Sequence, residues 1–331
     1  MMKLRSKLFR DVLNGYLSCR GKVPFNAVLV LSNRCNFKCS YCNIYEDKLK
    51  EMTTSKYYEI IDDLTKYGTI KISLLGGEPL LRQDISKIIN YAKEKGLMVG
   101  LASNGFLVEK KINDIKNLDY LHLSFDGPEK IHDEQRQKKG SYNKLIEGIK
   151  VASRYKNINI TTTTVLTKYN LNCVDFIVKK AKELNFTCFF QPVSLRSFCS
   201  NSNDMVPDKN EFKKTIKKIM DLKNGNNPIG NSIDALNYYY YWPHKKLKCS
   251  AGKYFINIDP NGDVYACLVR KEKDMDKPLN YLTNGLKNSL INTPKIVDCK
   301  FKCPYSYLEF NLLFSFKPNS IKNTLNILNN Q

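Results

Sequence analysis

Six times between Ala27 and Leu222 a short apolar run is followed by a stretch of helical period. The runs Ala27–Leu31, Ile70–Leu75, Met98–Ala102, Tyr120–Phe125, Ile158–Leu166 and Phe186–Gln191 predict strands. Helices are predicted over Thr54–Lys66, with Thr53 or Thr54 as cap, then Ile85–Lys95, Val108–Lys116, Tyr142–Tyr155, Cys173–Leu184 and Pro207–Leu222. Strands that each hand over to a helix through short connections lie parallel, joined by right-handed crossovers. The fold class is therefore α/β.

The loop after the first strand reads Ser32-Asn33-Arg34-Cys35-Asn36-Phe37-Lys38-Cys39-Ser40-Tyr41-Cys42, a CxxxCxxC spacing. Three thiolates so close together can hold three irons of a cubane [4Fe–4S] cluster, leaving the fourth iron open to a small molecule. Zinc is the rival, but it prefers four ligands and usually pairs them as CxxC. One predicted helix later, the second strand runs into Gly76-Gly77-Glu78-Pro79. A glycine pair at a strand end lets backbone come close to a ligand.

Together these two motifs, with aromatic Tyr41 just before the last cysteine, resemble the signature of the radical S-adenosylmethionine (SAM) enzymes. The resemblance implies a partial (β/α)6 TIM barrel, with its site at the C-terminal ends of the strands. It implies a [4Fe–4S] cluster on Cys35, Cys39 and Cys42 whose open iron chelates SAM, and Gly76, Gly77, Glu78 and Pro79 at the SAM amino group. The expected chemistry is reductive cleavage of SAM to a 5′-deoxyadenosyl radical, which abstracts hydrogen from a substrate.

Two further strand ends extend the match. Ser103-Asn104-Gly105 is similar to the family's Thr-Asn-Gly. Ser124-Phe125-Asp126-Gly127-Pro128, followed by His132-Asp133 and Arg136, is similar to its S-x-D-G-P…H-D…R segment. By that match Tyr41, Ser103, Asn104, Ser124, Asp126 and Arg136 join the cofactor-binding set, with Ser124 and Arg136 at the SAM carboxylate or ribose. Read from the residues alone, Asn104 and Asp126 are also ordinary turn formers, and Arg136 also suits a surface ion pair. No catalytic side chain stands out.

Toward the C-terminus, Cys249 precedes a hairpin pattern, Phe255 to Cys267, turning at Pro260-Asn261-Gly262. The hairpin returns Cys267 toward Cys249, and Cys299 and Cys303 supply a second pair. Four thiolates satisfy a cubane with no open iron. This arrangement resembles the start of a SPASM domain in its shortened "twitch" form, which implies one auxiliary [4Fe–4S] cluster. The final CxxxC departs from the more usual CxxC, and zinc is again the rival. Cys173 and Cys188 read as buried small hydrophobes, while Cys19 and Cys199 have no partner spacing.

The expected organisation is an amphipathic N-terminal extension over 1–23, a radical SAM core over 24–195 and a helical bridge over 196–245. A twitch-like domain over 246–310 and a tail over 311–331 complete it. Leu4, Leu8, Val12 and Leu13 form the stripe of the N-terminal helix, which packs on the body or lies on a membrane surface. Tyr238 to Trp242 read as core or inter-domain packing. No apolar run is long enough to span a membrane as a helix, and no secretory signal pattern is present. Clusters of this kind belong in a reducing cytoplasm. The net charge of +21 comes with scattered lysines, as on wet helix faces, and no specific nucleic-acid site is predicted.

The resemblance also implies an electron donor such as flavodoxin or ferredoxin, and a closed auxiliary cluster that relays an electron in an oxidative modification. Substrate readings are a peptide, a small molecule or sugar, or a lipid. The stretch ahead of Ala27 is too short for the winged-helix leader-peptide module of many peptide maturases. A non-catalytic iron–sulfur carrier is disfavoured, because it has no use for a SAM amino-group site.

Overall fold

The computed structural model describes residues 11–193, 202–241, 247–268, 278–294, 296, 303–317 and 319–321. Strands β1 (Asn26–Val30), β2 (Lys71–Leu75), β3 (Met98–Ser103), β4 (Tyr120–Ser124), β5 (Asn159–Leu166) and β6 (Thr187–Pro192) lie side by side in chain order, all parallel. Helices α1 (Thr54–Lys66), α2 (Ile85–Glu94), α3 (Val108–Ile115), α4 (Glu129–Arg136), α5 (Ser141–Ala152) and α6 (Val174–Glu183) carry the chain back between them. Among the described residues β6 and β9, the two ends of the sheet, do not pair with each other, so the barrel is partial and open.

The apolar period explains the layers. On α1, Tyr57, Ile60, Ile61 and Leu64 fall on one face and are buried, and Thr53 caps the helix by accepting from the Lys56 N–H. They pack with Ala27, Leu29, Leu31, Ile72 and Leu74, alternate residues of β1 and β2. Burying each such side chain contributes about 1.5–3 kcal/mol. The other alternate set, Asn26, Val28 and Val30 beside Lys71, Ser73 and Leu75, faces the barrel lumen.

The hairpin formed by β7 (Phe255–Ile258) and β8 (Asp263–Tyr265) turns through Gly262, at φ +91°. Sequence alone sets it in a separate small domain. In the structure β7 pairs with β1 in parallel, Asn26 opposite Phe255 through Leu29 opposite Ile258, so the hairpin continues the barrel sheet. β9 (Leu279–Asn280) adds a short antiparallel edge. Helices α7 (Lys209–Asn224), α8 (Ile233–Tyr241), α9 (Tyr281–Asn292) and α10 (Tyr305–Leu313) complete the described chain. Tyr238 and Tyr239 on α8 are buried, whereas Tyr241 is exposed and Trp242 lies outside the described residues.

Residues 11–18 are helical and pack through Val12 and Gly15 against Tyr67 and Gly68. The expected inward stripe needs correcting here, because Leu13 is exposed along with Tyr16 and Leu17. Close backbone approach at Gly15 selects the packed face. Just beyond, the buried ammonium of Lys22 donates to the carbonyls of Leu290, Ile291 and Thr293, capping the C-terminal end of α9. Among the described residues no helix is long and apolar enough to cross a membrane.

Candidate functional site

β1 delivers the cysteine loop and β2 delivers Gly76-Gly77-Glu78-Pro79 at the same end of the sheet. The two are locked backbone to backbone, with Gly77 N–H donating to Ser32 C=O at 2.8 Å and Glu78 N–H to Arg34 C=O at 2.9 Å. A Cβ on Gly76 would stand 2.4 Å from the Ser32 oxygen, and one on Gly77 2.4 Å from the Arg34 oxygen. The glycine pair therefore serves a close approach, and what it approaches here is the cysteine loop's own backbone.

Glu78 is fully buried. Its carboxylate accepts from Leu80 N–H at 3.1 Å, Ser103 Oγ at 2.9 Å and Asn104 N–H at 2.8 Å. Pro79 opens the short 3-10 turn that follows. Burial pushes the Glu78 carboxyl up to about 7, against the pull of these three donors. Because its folded-state value lies above the ordinary one, the unfolded chain gives up this proton first. Stability should therefore fall as pH rises from about 4.5 to about 7, by on the order of 3 kcal/mol, and then level off. Glu78→Gln should flatten that part of a denaturant-midpoint profile against pH. An unchanged slope would mean Glu78 is ionised throughout.

Asn104 also donates from Nδ2 to Asn36 in the cysteine loop at 2.8 Å. From β4 and α4 the loop is gripped again, as Ser40 N–H and Oγ both donate to the Gln135 carbonyl. The Tyr41 hydroxyl donates to Asp126 at 3.2 Å, and Arg136 Nε to the same carboxylate oxygen at 2.7 Å. The Arg136 guanidinium lies over the Tyr41 ring at 5.4 Å, and its Nη1 reaches Cys39 Sγ at 3.9 Å. The surface ion pair that Arg136 suits from sequence alone is thus a buried one. Burial alone would lower Arg136, but Asp126 outweighs it and holds the guanidinium above its ordinary range. Ser124 ends β4, half-buried on the lumen side, paired in register with Thr163.

Burial pushes the Cys35 thiol up to about 11 and raises Cys39 as well, with Arg136 working against the second shift. Metal binding must therefore displace protons from these thiols. No disulfide joins Cys35, Cys39 and Cys42. Among the described residues no three of His, Cys, Asp or Glu are grouped so as to hold a single metal ion. The donor chemistry suits a cubane, with three half-buried thiols on one loop. Among the described residues, the Gln135 side-chain amide nitrogen, on the residue whose carbonyl holds Ser40, is buried without a hydrogen-bond partner.

Arg82 is a positioning residue that sequence reasoning missed. It ion-pairs with Glu51 and Asp84 and donates to the Leu31 and Met52 carbonyls, while Glu51 holds Arg34 and Ser32 at the start of the loop. Its signal was thin, an Arg shortly beyond the Gly-Gly-Glu-Pro turn with an Asp close behind it.

The second cysteine group gathers on one apolar cluster. Cys249, Cys267 and Cys303 pack with Val28, Val30, Phe255 and Tyr307. Asn311 Oδ1 accepts from Ser250 N–H and Oγ at 2.7 and 2.6 Å, and its Nδ2 points at Cys303 Sγ at 3.8 Å. That one amide ties the residue after Cys249 to Cys303. Cys299 and Cys199 lie outside the described residues. Cys19, Cys173 and Cys188 are buried.

Comparison with known proteins adds the following. Fe-coproporphyrin III synthase of Methanosarcina barkeri is 32% identical over 38% of this chain, which spans 35% of that protein's length. A probable GTP 3′,8-cyclase of Methanococcus maripaludis is 26% identical over 78% of this chain and 89% of its own. The crystal structure of Streptococcus suis SuiB bound to precursor peptide SuiA superposes with a TM-score of 0.69 at 16% identity, over 82% of this chain and 66% of that one. The model for the Radical SAM superfamily matches residues 29–181, from within β1 to near the end of α6, taking in both motifs. Residues 29–181 thus form a Radical SAM superfamily domain, a family that implies a [4Fe–4S] cluster and SAM.

Proposed function

We propose that this protein is an enzyme that cleaves SAM reductively and abstracts hydrogen from its substrate, completing an oxidative modification with the help of a second cluster. The observation that carries the reading is the docking of the cysteine loop onto Gly76–Glu78, with the loop's far side closed by Asp126, Arg136 and Tyr41. When bound, the cluster and SAM supply the electron and the 5′-deoxyadenosyl radical. Cys35, Cys39 and Cys42 would hold that cluster, and the turn at Gly76–Pro79 with Ser103, Asn104 and Ser124 would bound the SAM site. Arg136 places a positive charge beside Cys39, which favours its thiolate. Tyr41, Val193 and Met205 pack around Cys39 and Cys42 and keep water from that side of the loop.

Cys249, Cys267 and Cys303, with Cys299, would hold the auxiliary cluster. The gathering of the first three on one apolar cluster supports this reading. SuiB was solved with a precursor peptide, which supports a peptide as occupant of the open barrel mouth. A flavodoxin- or ferredoxin-type donor would deliver the first electron.

The test uses anaerobically reconstituted protein. Wild type should bind about eight irons per chain, and Cys267→Ala with Cys303→Ala about four. With dithionite the double variant, once shown to be folded, should still release 5′-deoxyadenosine while turnover of the substrate stops. A wild type holding about four irons plus zinc would remove the second cluster. A wild type that releases no 5′-deoxyadenosine would remove the activity itself.

A further inference from the structure

Near its floor the lumen of the open barrel mixes apolar Met98 and Phe255 with polar side chains, and one group there lacks an anionic partner. Lys71 is the first residue of β2, and Asn26, Ser73, Gly100, Tyr120, His122 and Thr161 share its side of the sheet by register. Among the lumen-facing residues of β1–β4, Lys71 is the one lysine or arginine. Its ammonium lies over the Tyr120 ring at 4.4 Å, and among the described residues it forms no ion pair and no hydrogen bond. The nearby carboxylate of Asp119 is taken by Lys93 at 2.6 Å and by Val99 N–H at 2.7 Å.

The neighbouring groups are arranged around this charge. Ser73 Oγ donates to Asn26 Oδ1 at 3.1 Å, which fixes the amide so that its nitrogen is the end left to donate. Gly100 has no side chain where the Tyr120 and His122 side chains stand, 3.5–3.6 Å from where its Cβ would be. Those two rings stack in parallel at 6.1 Å, and the His122 ring hydrogen-bonds Thr161. Burial, with Lys71 adding to it, pushes His122 down to about 3, so it is neutral at pH 7 and adds no second charge. Burial likewise pulls Lys71 down to about 8, with Asp119 working weakly against it.

We propose that Lys71 and Asn26 form an anion subsite at the lumen floor, taking a carboxylate or phosphate group of the substrate. An ammonium in a confined lumen is costly unless an anion joins it, and Asn26, opposite Lys71 in the strand register, offers an amide N–H₂ from the adjacent strand. Lys71 opens β2 and Gly76 follows its end, a separation of about 16 Å along an extended strand. The subsite is therefore too deep for SAM held at the strand ends, and suits a substrate that reaches down the lumen with its reacting carbon near the top. The inference rests on the function proposed above, since it presumes that the lumen is where that substrate lies.

The test reads Lys71 directly. In reconstituted protein carrying ¹³C-dimethyl-lysine labels, the resonance absent from Lys71→Met is titrated against pH in chloride, then with inorganic phosphate or with acetate. A midpoint near 8 in chloride, rising by about one unit with phosphate or acetate, corresponds to a tenfold preference of the anion for the charged lysine. A rise with phosphate alone assigns a phosphorylated substrate, and one with acetate alone a carboxylate. A Lys71 midpoint that neither anion moves, in protein that still cleaves SAM, overturns the subsite and leaves the proposed function standing. Protein that does not cleave SAM overturns the proposed function instead.

Discussion

Replacing Cys35, Cys39 and Cys42 together with alanine should remove about four irons per chain and drop 5′-deoxyadenosine formation to the background of the reductant alone. The loss should be complete because every protein ligand of the cubane goes at once. The fold should survive, because the loop does not depend on metal for its shape. Gly77, Glu78, Asn104 and Gln135 all hold its backbone or side chains by hydrogen bonds, and Arg34 is held through Glu51. The metal-free triple variant and the metal-free wild type should therefore unfold at the same denaturant midpoint. Iron analysis, product chromatography and urea melts together check the prediction. A triple variant that keeps its iron content would place the cluster elsewhere.

The second large effect lies in the pair beneath that loop. Asp126 is fully buried and the Arg136 side chain is 8% exposed, so removing either partner strands a charge away from water. Arg136→Ala should cost about 3–5 kcal/mol of stability. The apolar double variant Asp126→Leu with Arg136→Met should cost far less than the two singles summed, because no unpaired charge remains. Sequence matching points Arg136 at SAM, and a SAM-affinity measurement on Arg136→Ala would be confounded by this instability. The double variant separates the two roles. If it folds well and still binds SAM like wild type, Arg136 supports the loop and does not touch the cofactor. A cost below about 1 kcal/mol for Arg136→Ala would mean that the pair is solvated.

What could be read from the chain is what local pattern encodes. α1 begins and ends where predicted because Thr53 supplies a side-chain cap and the apolar period is regular through Leu64. The strand limits shift only slightly from those the apolar runs predict. α4 escaped because its buried residues are His132, Gln135 and Arg136, so its inward face is polar and leaves no apolar period. α9 escaped because Gly285 breaks its backbone at φ +68°. At the site, residue types and spacing pointed to the loop and the turn. That the glycine pair meets the loop backbone, and that Arg82 braces it, depends on contacts between segments far apart in sequence.

The parallel ladder between β1 and β7 also bears on how the chain is made. β1 finds its first neighbour, β2, soon after it is synthesised, but its second neighbour begins only at Phe255, late in the chain. At roughly 5–20 residues per second, that partner follows tens of seconds later. Through that interval β1 is an edge strand, with Val28 and Val30 bare on the side that β7 and α10 later cover. The nascent barrel is thus most prone to pairing with another chain in that window, and the late hairpin closes it.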